Sequence, residues 1–172
     1  MTRLKSLVFG LGCDVVRMTR LKQIYDRYGL KFLKRAYHPI EIEMFQRITD
    51  TDPDDNNETT QQKEVEFLAS RWAVKEAATK AFARYRVPFP DMYVTKATPL
   101  STSPPSTVGS LVPFRSNATY PILEFSQNVH SLCEELSIGQ IHVSLSHDDE
   151  YAYAAVILER GEDGVKDAQK LS

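Results

Sequence analysis

From Glu64 to Phe82 the chain runs without a glycine or a proline and carries five alanines. That composition predicts one long helix. Phe67, Val74, Ala78 and Ala81 form one apolar stripe along it. Val65, Ala69 and Trp72 form a second, roughly opposite, and Glu76 falls in line with the second. A helix apolar on two faces is buried on both, so other elements must wrap it. A carboxylate on such a face needs a partner, a cation or a metal.

The flanking sequence supplies those elements. Leu7–Val15 alternates Leu7, Phe9, Leu11, Cys13 and Val15 against Gly10, Gly12 and Asp14, which reads as a strand. The two glycines share a face with Asp14, so a backbone or a ligand can approach closely there. A helix is expected from Thr19, a good N-cap, to Tyr28, with Gly29 as its stop. Short helices follow over Lys31–Tyr37 and, opened by Pro39, over Ile40–Ile48. Asp50–Gln62 is acidic and amide-rich and reads as a mobile loop; Thr98–Ala118, rich in Ser, Thr and Pro, reads as a flexible insertion. Strands are expected over Met92–Ala97 and Tyr120–Phe125. A helix then runs from the cap Ser126 to a stop at Gly139, with Val129, Leu132, Cys133 and Leu136 on one side. Gln140–Ser146 and Tyr151–Leu158 read as a hairpin joined by the polar link His147–Glu150. The expected class is α+β: a small antiparallel sheet packed on a long buried helix, in a single domain over residues 1–160, with a polar tail over 161–172.

A net charge of −2 on 172 residues selects no partner class. Locally the picture differs: between Arg17 and Arg35 seven basic residues face one acidic residue, Asp26. Nothing in that stretch resembles a base-reading helix or a stacking platform, so no nucleic acid is expected. Cys13 and Cys133, far apart and without CxxC spacing, read as two buried thiols of a reducing compartment. No apolar run approaches the ~20 residues that cross a bilayer. The basic start Met1-Thr-Arg-Leu-Lys leaves too little room for a full transit peptide before the first strand.

Singly, the polar residues decide little. Glu76 and Lys80, one turn apart, suit a surface ion pair of about 0.3–0.5 kcal/mol. Asp14 suits a turn cap, and His147 a turn or edge position. Together they are more specific. Gly10-Leu-Gly-Cys-Asp14, Phe67-Leu-Ala-Ser-Arg-Trp-Ala-Val-Lys-Glu-Ala-Ala-Thr-Lys80 and His142-Val-Ser-Leu-Ser-His147, followed by Glu150-Tyr-Ala-Tyr-Ala-Ala155, occur in that order. This set resembles the holo-acyl carrier protein synthase family, the small class of 4′-phosphopantetheinyl transferases, from about Val8 to Glu159.

The resemblance implies the phosphopantetheinyl transferase fold in a single copy per chain. It implies transfer of phosphopantetheine from coenzyme A to a serine of an apo acyl carrier protein, leaving 3′,5′-ADP. Asp14 and Glu76 are then expected to hold Mg2+, which suits a few carboxylates completed by water and substrate phosphates. Lys80 is expected beside the phosphates. His147, and with it Arg71, Ser146 and Asp148, is expected to contact coenzyme A. The serine's proton leaves either to Glu76 or to a water held by Asp14. Arg20, Arg27 and Lys31 are expected to dock the acidic helix of the carrier protein. Relatives assemble as trimers with active sites at subunit interfaces, which sets the expectation for this chain. The implied compartment is mitochondrial in a eukaryote and cytoplasmic otherwise.

Two departures stand out. Arg17 occupies a position where many relatives carry glutamate. Phe82-Ala-Arg-Tyr-Arg-Val-Pro88 replaces a Gly-Thr-Gly-like segment, which makes Arg84 and Arg86 candidate phosphate contacts. The rival readings are a non-catalytic basic module for an acidic helical partner and an enzyme acting on another diphosphate ester.

Overall fold

The computed structural model describes residues 7–50, 57–97 and 119–161. In chain order the elements are β1 (Val8–Arg17), α1 (Met18–Tyr28), α2 (Leu30–Ala36), α3 (Pro39–Thr49), α4 (Asn57–Ala81), a 3-10 turn (Phe89–Asp91), β2 (Met92–Ala97), β3 (Tyr120–Phe125), α5 (Gln127–Glu135), β4 (Ile138–Asp148) and β5 (Tyr151–Arg160). The expected α+β class holds. An antiparallel sheet in the order β1-β5-β4 lies on α4, and β2 and β3 pair in a second antiparallel sheet.

α4 is the core of the molecule. Phe67, Leu68, Ala73, Val74, Ala77, Ala78 and Ala81 are all buried, so the first expected stripe is covered; of the second, Ala69 is buried and Val65 and Trp72 are partly so. The sheet covers one side. Leu21 of α1 and Phe45 of α3 belong to the same core, and aromatic contacts run from Phe45 to Phe67, Phe32 to Trp72 and Phe82 to Phe125. On the sheet side the contact is backbone to backbone. A Cβ on Gly12 would lie 2.0 Å from the Ala77 carbonyl oxygen, and one on Gly10 would lie 1.9 Å from that of Ala81. Only glycine allows that approach, and the buried Ala152 and Ala154 of β5 keep the rest of the face shallow.

That packing decides which face of β1 is inside. Gly10, Gly12, Asp14 and Val16 turn toward α4, so period-two alternation turns Leu11, Cys13 and Val15 outward. Leu11 is 64 % exposed and Val15 62 %. Cys13 is therefore exposed, against the expectation of two buried thiols. Cys133 is buried as expected, and burial pushes its thiol up to about 11.

Other boundaries moved for local reasons. α1 begins at Met18 rather than after Thr19, because the Met18 amide donates to the carbonyl of Glu150 in the β4–β5 turn (2.7 Å) and needs no side-chain cap. Residues 57–62, expected in a loop, are the first turns of α4, and Asp50 caps the end of α3; residues 51–56, the 98–118 insertion and the tail beyond 161 lie outside the described residues. Gly139 does not stop α5. The chain turns at Ser137, in the left-handed region at φ 54°, and Gly139 belongs to β4. There a Cβ would lie 2.6 Å from the Gly161 Cα, so glycine serves a chain crossing. The hairpin turns on Asp149 and Glu150 alone, which leaves His147 and Asp148 in β4.

One feature was not foreseen: a fully buried ion pair. Lys75 of α4 donates to Glu41 Oε2 of α3 at 2.5 Å and to the carbonyl of Ala36 at 3.0 Å. Glu41 Oε1 accepts from the Val94 amide of β2 at 3.0 Å, and Oε2 from the His38 amide at 3.2 Å. Four elements thus meet on two side chains. Burial pulls the Lys75 ammonium down to about 8, which leaves it charged at neutral pH. Removing one partner strands the other charge, so Lys75→Met should destabilise by about 3–5 kcal/mol. Glu41→Gln added to it removes the stranded charge while keeping an acceptor for Val94, and should restore much of that loss. Urea unfolding of both single variants and the double variant measures the coupling; additive losses would contradict it.

Candidate active site

α4 and β1 run in opposite directions, with Ala81 over Gly10 and Ala77 over Gly12. Asp14, two residues further along β1, therefore comes level with the previous turn of α4, where Glu76 projects. Lys80, one turn on, leans back toward the helix N-terminus, as helical side chains do. Its ammonium reaches Asp14 Oδ1 at 2.8 Å and the carbonyl of Cys13 at 2.9 Å. The hydrogen bond to Asp14 chiefly, with the charges of Asp14 and Glu76 behind it, raises the Lys80 pKa above its ordinary value. Lys80 thus pairs with the strand carboxylate rather than only along its own helix, and three of the residues expected to carry chemistry converge at the β1 edge of the sheet.

The donor set there is two carboxylates, Asp14 and Glu76. Among the described residues no cluster of three or more His, Cys, Asp or Glu side chains forms a metal cage. Two partly exposed carboxylates fit a hard divalent cation that completes its shell with water and substrate oxygens. They do not fit a structural zinc or a calcium cage.

Arg71 and His147 lie elsewhere on the inner face. Strand register pairs Val16 with Ala152 and Ala152 with His147, and the row before it pairs Asp14 with Ala154 and Ala154 with Leu145. His147 is thus on β4, across β5 from β1. With Arg71, Ser70, Lys63, Lys96 and Leu145 it lines a cleft of about 360 Å³ between α4, β4 and the β2–β3 pair. The Arg71 guanidinium sits 3.4 Å over the Phe67 ring, and its Nε is buried without a hydrogen-bond partner. Among the described residues no carboxylate pairs with it, and burial lowers its pKa to about 10, still fully cationic at neutral pH. Its Nη1 makes only long contacts to the Phe67 carbonyl (3.5 Å) and Ser70 Oγ (3.4 Å), and a desolvated guanidinium without a carboxylate partner, opening on a cleft, is suited to a phosphate.

Ser146 and Asp148 are not brought to either place. Alternation puts them on the outer face, in rows with Tyr153 and Val15 and with Tyr151 and Arg17. Arg20, Arg27 and Lys31 are exposed on α1 and α2, as the docking expectation requires. Next to them a groove of about 680 Å³ has Ile24, Tyr28 and Phe32 along it and Lys31, Lys34 and Arg35 at its rim. Lys34 and Arg35 belong to the basic run seen in the sequence, whereas the apolar floor of Ile24, Tyr28 and Phe32 was missed, although the four-residue spacing of these three points to it. Lys75 was also missed. Its signal was its seven-residue spacing from Leu68 and Phe82, both buried.

The geometry can be set beside known proteins. Residues 10–156 match the 4′-phosphopantetheinyl transferase superfamily. The chain is 30 % identical over 155 residues to the holo-[acyl-carrier-protein] synthase of Yersinia enterocolitica, covering 88 % of this chain and 98 % of that protein. The synthase of Serratia proteamaculans matches equally well, at 30 % over 155 residues and the same coverage. Among solved structures, the synthase of Neisseria meningitidis superposes with a TM-score of 0.65 at 20 % identity, covering 89 % of this chain and 99 % of that one. The synthase of Helicobacter pylori in complex with coenzyme A gives 0.57 at 23 %, covering 87 % and 99 %. These likenesses to solved structures concern the fold. The sequence matches go further: this chain belongs to the 4′-phosphopantetheinyl transferase superfamily.

Proposed function

We propose that the protein is a holo-acyl carrier protein synthase, moving 4′-phosphopantetheine from coenzyme A to a serine hydroxyl of an apo carrier protein. The observation that carries this reading is the convergence of Asp14 and Glu76 around the Lys80 ammonium at the β1 edge, in a chain whose full-length relatives are synthases of that name. The serine oxygen forms a bond to the phosphorus that bears the pantetheine arm. The bond from that phosphorus to the 3′,5′-ADP oxygen breaks, and the serine proton passes to Glu76 or to a water held at Asp14. Lys80 offsets the charge that grows on the departing diphosphate bridge. Asp14 and Glu76 are the residues that would hold Mg2+; when bound, such an ion neutralises the pyrophosphate oxygens.

Arg71 and His147, with Lys63 and Lys96 nearby, are assigned to a phosphate of the nucleotide end of coenzyme A. This half of the site lies at the β4 edge, whereas the carboxylate half lies at the β1 edge. A head-to-tail ring of copies would join one subunit's carboxylate edge to its neighbour's cationic edge, which supports the homotrimer expected from the family. The exposed apolar outer face, with Leu11, Val15, Tyr151 and Tyr153, supports it too. Ser146 and Asp148 emerge on that face and are assigned to the neighbour's pocket. Arg20, Arg27 and Lys31 present cations to the acidic carrier, and the adjoining groove offers a slot for an apolar side chain of its helix.

Incubation with coenzyme A, Mg2+ and an apo carrier protein should raise the carrier's mass by one phosphopantetheine group; no gain with any carrier would sink the assignment. Asp14→Asn, Glu76→Gln and Lys80→Ala should each lower kcat/KM by roughly a hundredfold or more with the fold retained by circular dichroism. Wild-type turnover in any of them would remove that residue from the mechanism. Lys31→Glu should raise KM for the carrier several-fold at low salt, with kcat little changed, and the effect should fade as ionic strength rises. Sedimentation should give a trimer, and Tyr153→Asp should yield inactive monomers. Active monomers would refute the shared site.

A further inference from the structure

Among the described residues Asp14 Oδ1 has a single hydrogen-bond partner, the Lys80 ammonium. The same ammonium is anchored by the Cys13 carbonyl, so its place is set by two contacts to β1 rather than by one. Lys80 is half exposed and sits on the last turn of α4. Asp14, in contrast, is largely enclosed, with its side chain only 16 % exposed. A cation arriving at Asp14 meets a carboxylate already engaged, beside an ammonium of like charge.

We propose that Lys80 acts as an exchangeable plug on the metal ligand Asp14, so that a divalent ion binds well only when a phosphate draws the ammonium away. This rests on the reading of Asp14 and Glu76 as ligands given above. The exchange is physically simple. The Lys80 stem is long and flexible, and a phosphate oxygen is as good an acceptor for its ammonium as a carboxylate. Once the ammonium turns to a phosphate, Asp14 loses its internal partner and needs a cation. Coenzyme A and the ion then favour each other's binding, and by linkage the coupling is reciprocal. The consequence is ordered loading: without nucleotide the site stays closed to stray cations, held by the protein's own positive charge. Lys80 thus has a positioning role beyond its contact with the phosphates.

The test uses Mn2+ alone, without coenzyme A, with bound ion counted by electron paramagnetic resonance on the full chain. Lys80→Met should bind Mn2+ roughly three-fold or more tightly than wild type, the scale of a partly exposed ion pair. Asp14→Asn added to it should abolish the gain. Arg17→Met is the control for general field effects. It removes a positive charge three residues from Asp14, whose guanidinium is engaged with Tyr151 and Glu150 instead. Its affinity should stay near wild type. Equal affinity in wild type and Lys80→Met overturns the plug, as does an equal gain in Arg17→Met, which would mark a diffuse electrostatic effect. Those results leave the ligand assignment standing. Mn2+ binding that is unchanged by Asp14→Asn in the wild-type background refutes the ligand assignment and the plug with it.

Discussion

Everything at the site follows from how closely α4 lies on β1. The carbonyls of Ala77 and Ala81 occupy the space that side chains at Gly12 and Gly10 would fill. At ordinary helix-to-sheet spacing of about 10 Å, Asp14 would stand apart from the α4 side chains. At this spacing a carboxylate on a strand and an ammonium on a helix share a hydrogen bond. The same contact turns the larger apolar side chains of β1 outward, so the closeness that builds the site also leaves an apolar sheet face open.

The helix that carries the site is held on its other side by a different charge pair. Lys75 and Lys80 lie five residues apart, which at 100° per residue rotates one well away from the other. Lys75 points inward and meets Glu41, tying α3, β2 and the end of α2 to α4. Lys80 points to the β1 edge and solvent. Two lysines of one short motif thus do unrelated work: one fixes where the helix lies, the other acts where the helix opens. Loss of one member of such a pair strands a buried charge, so the two side chains must meet wherever the elements pack. Here that packing brings Glu76 level with Asp14.

The residues of the proposed site are divided between two sheet edges. The carboxylates and Lys80 are presented at β1, and Arg71 and His147 at β4, with β5 between them. In the proposed reading one subunit offers two half-sites facing apart, and a second copy would complete what a single sheet is too narrow to surround.

The element order, the buried helix and the close-approach glycines were legible in the sequence from local periodicity and turn chemistry. The grouping of Asp14 with Glu76 and Lys80 came only from the resemblance to a known family, since no spacing relates a strand residue to a helix about sixty positions on. The thiol of Cys13, the role of Gly139, the start of α1 and the partner of Lys75 were not legible. Each depends on a segment distant in the chain: α4 beneath β1, Gly161 beside Gly139, Glu150 above Met18, Glu41 across from Lys75. Alternation along a strand says which residues share a face but not which face is covered. Helical spacing says which side chains align but not what waits opposite. The sequence by itself determined the buried helix and the chemistry borne on it. Only the tertiary structure decided that Lys80 turns to Asp14 while Lys75 is sealed inside, because that choice was made by the elements packed around α4 and not by α4 itself.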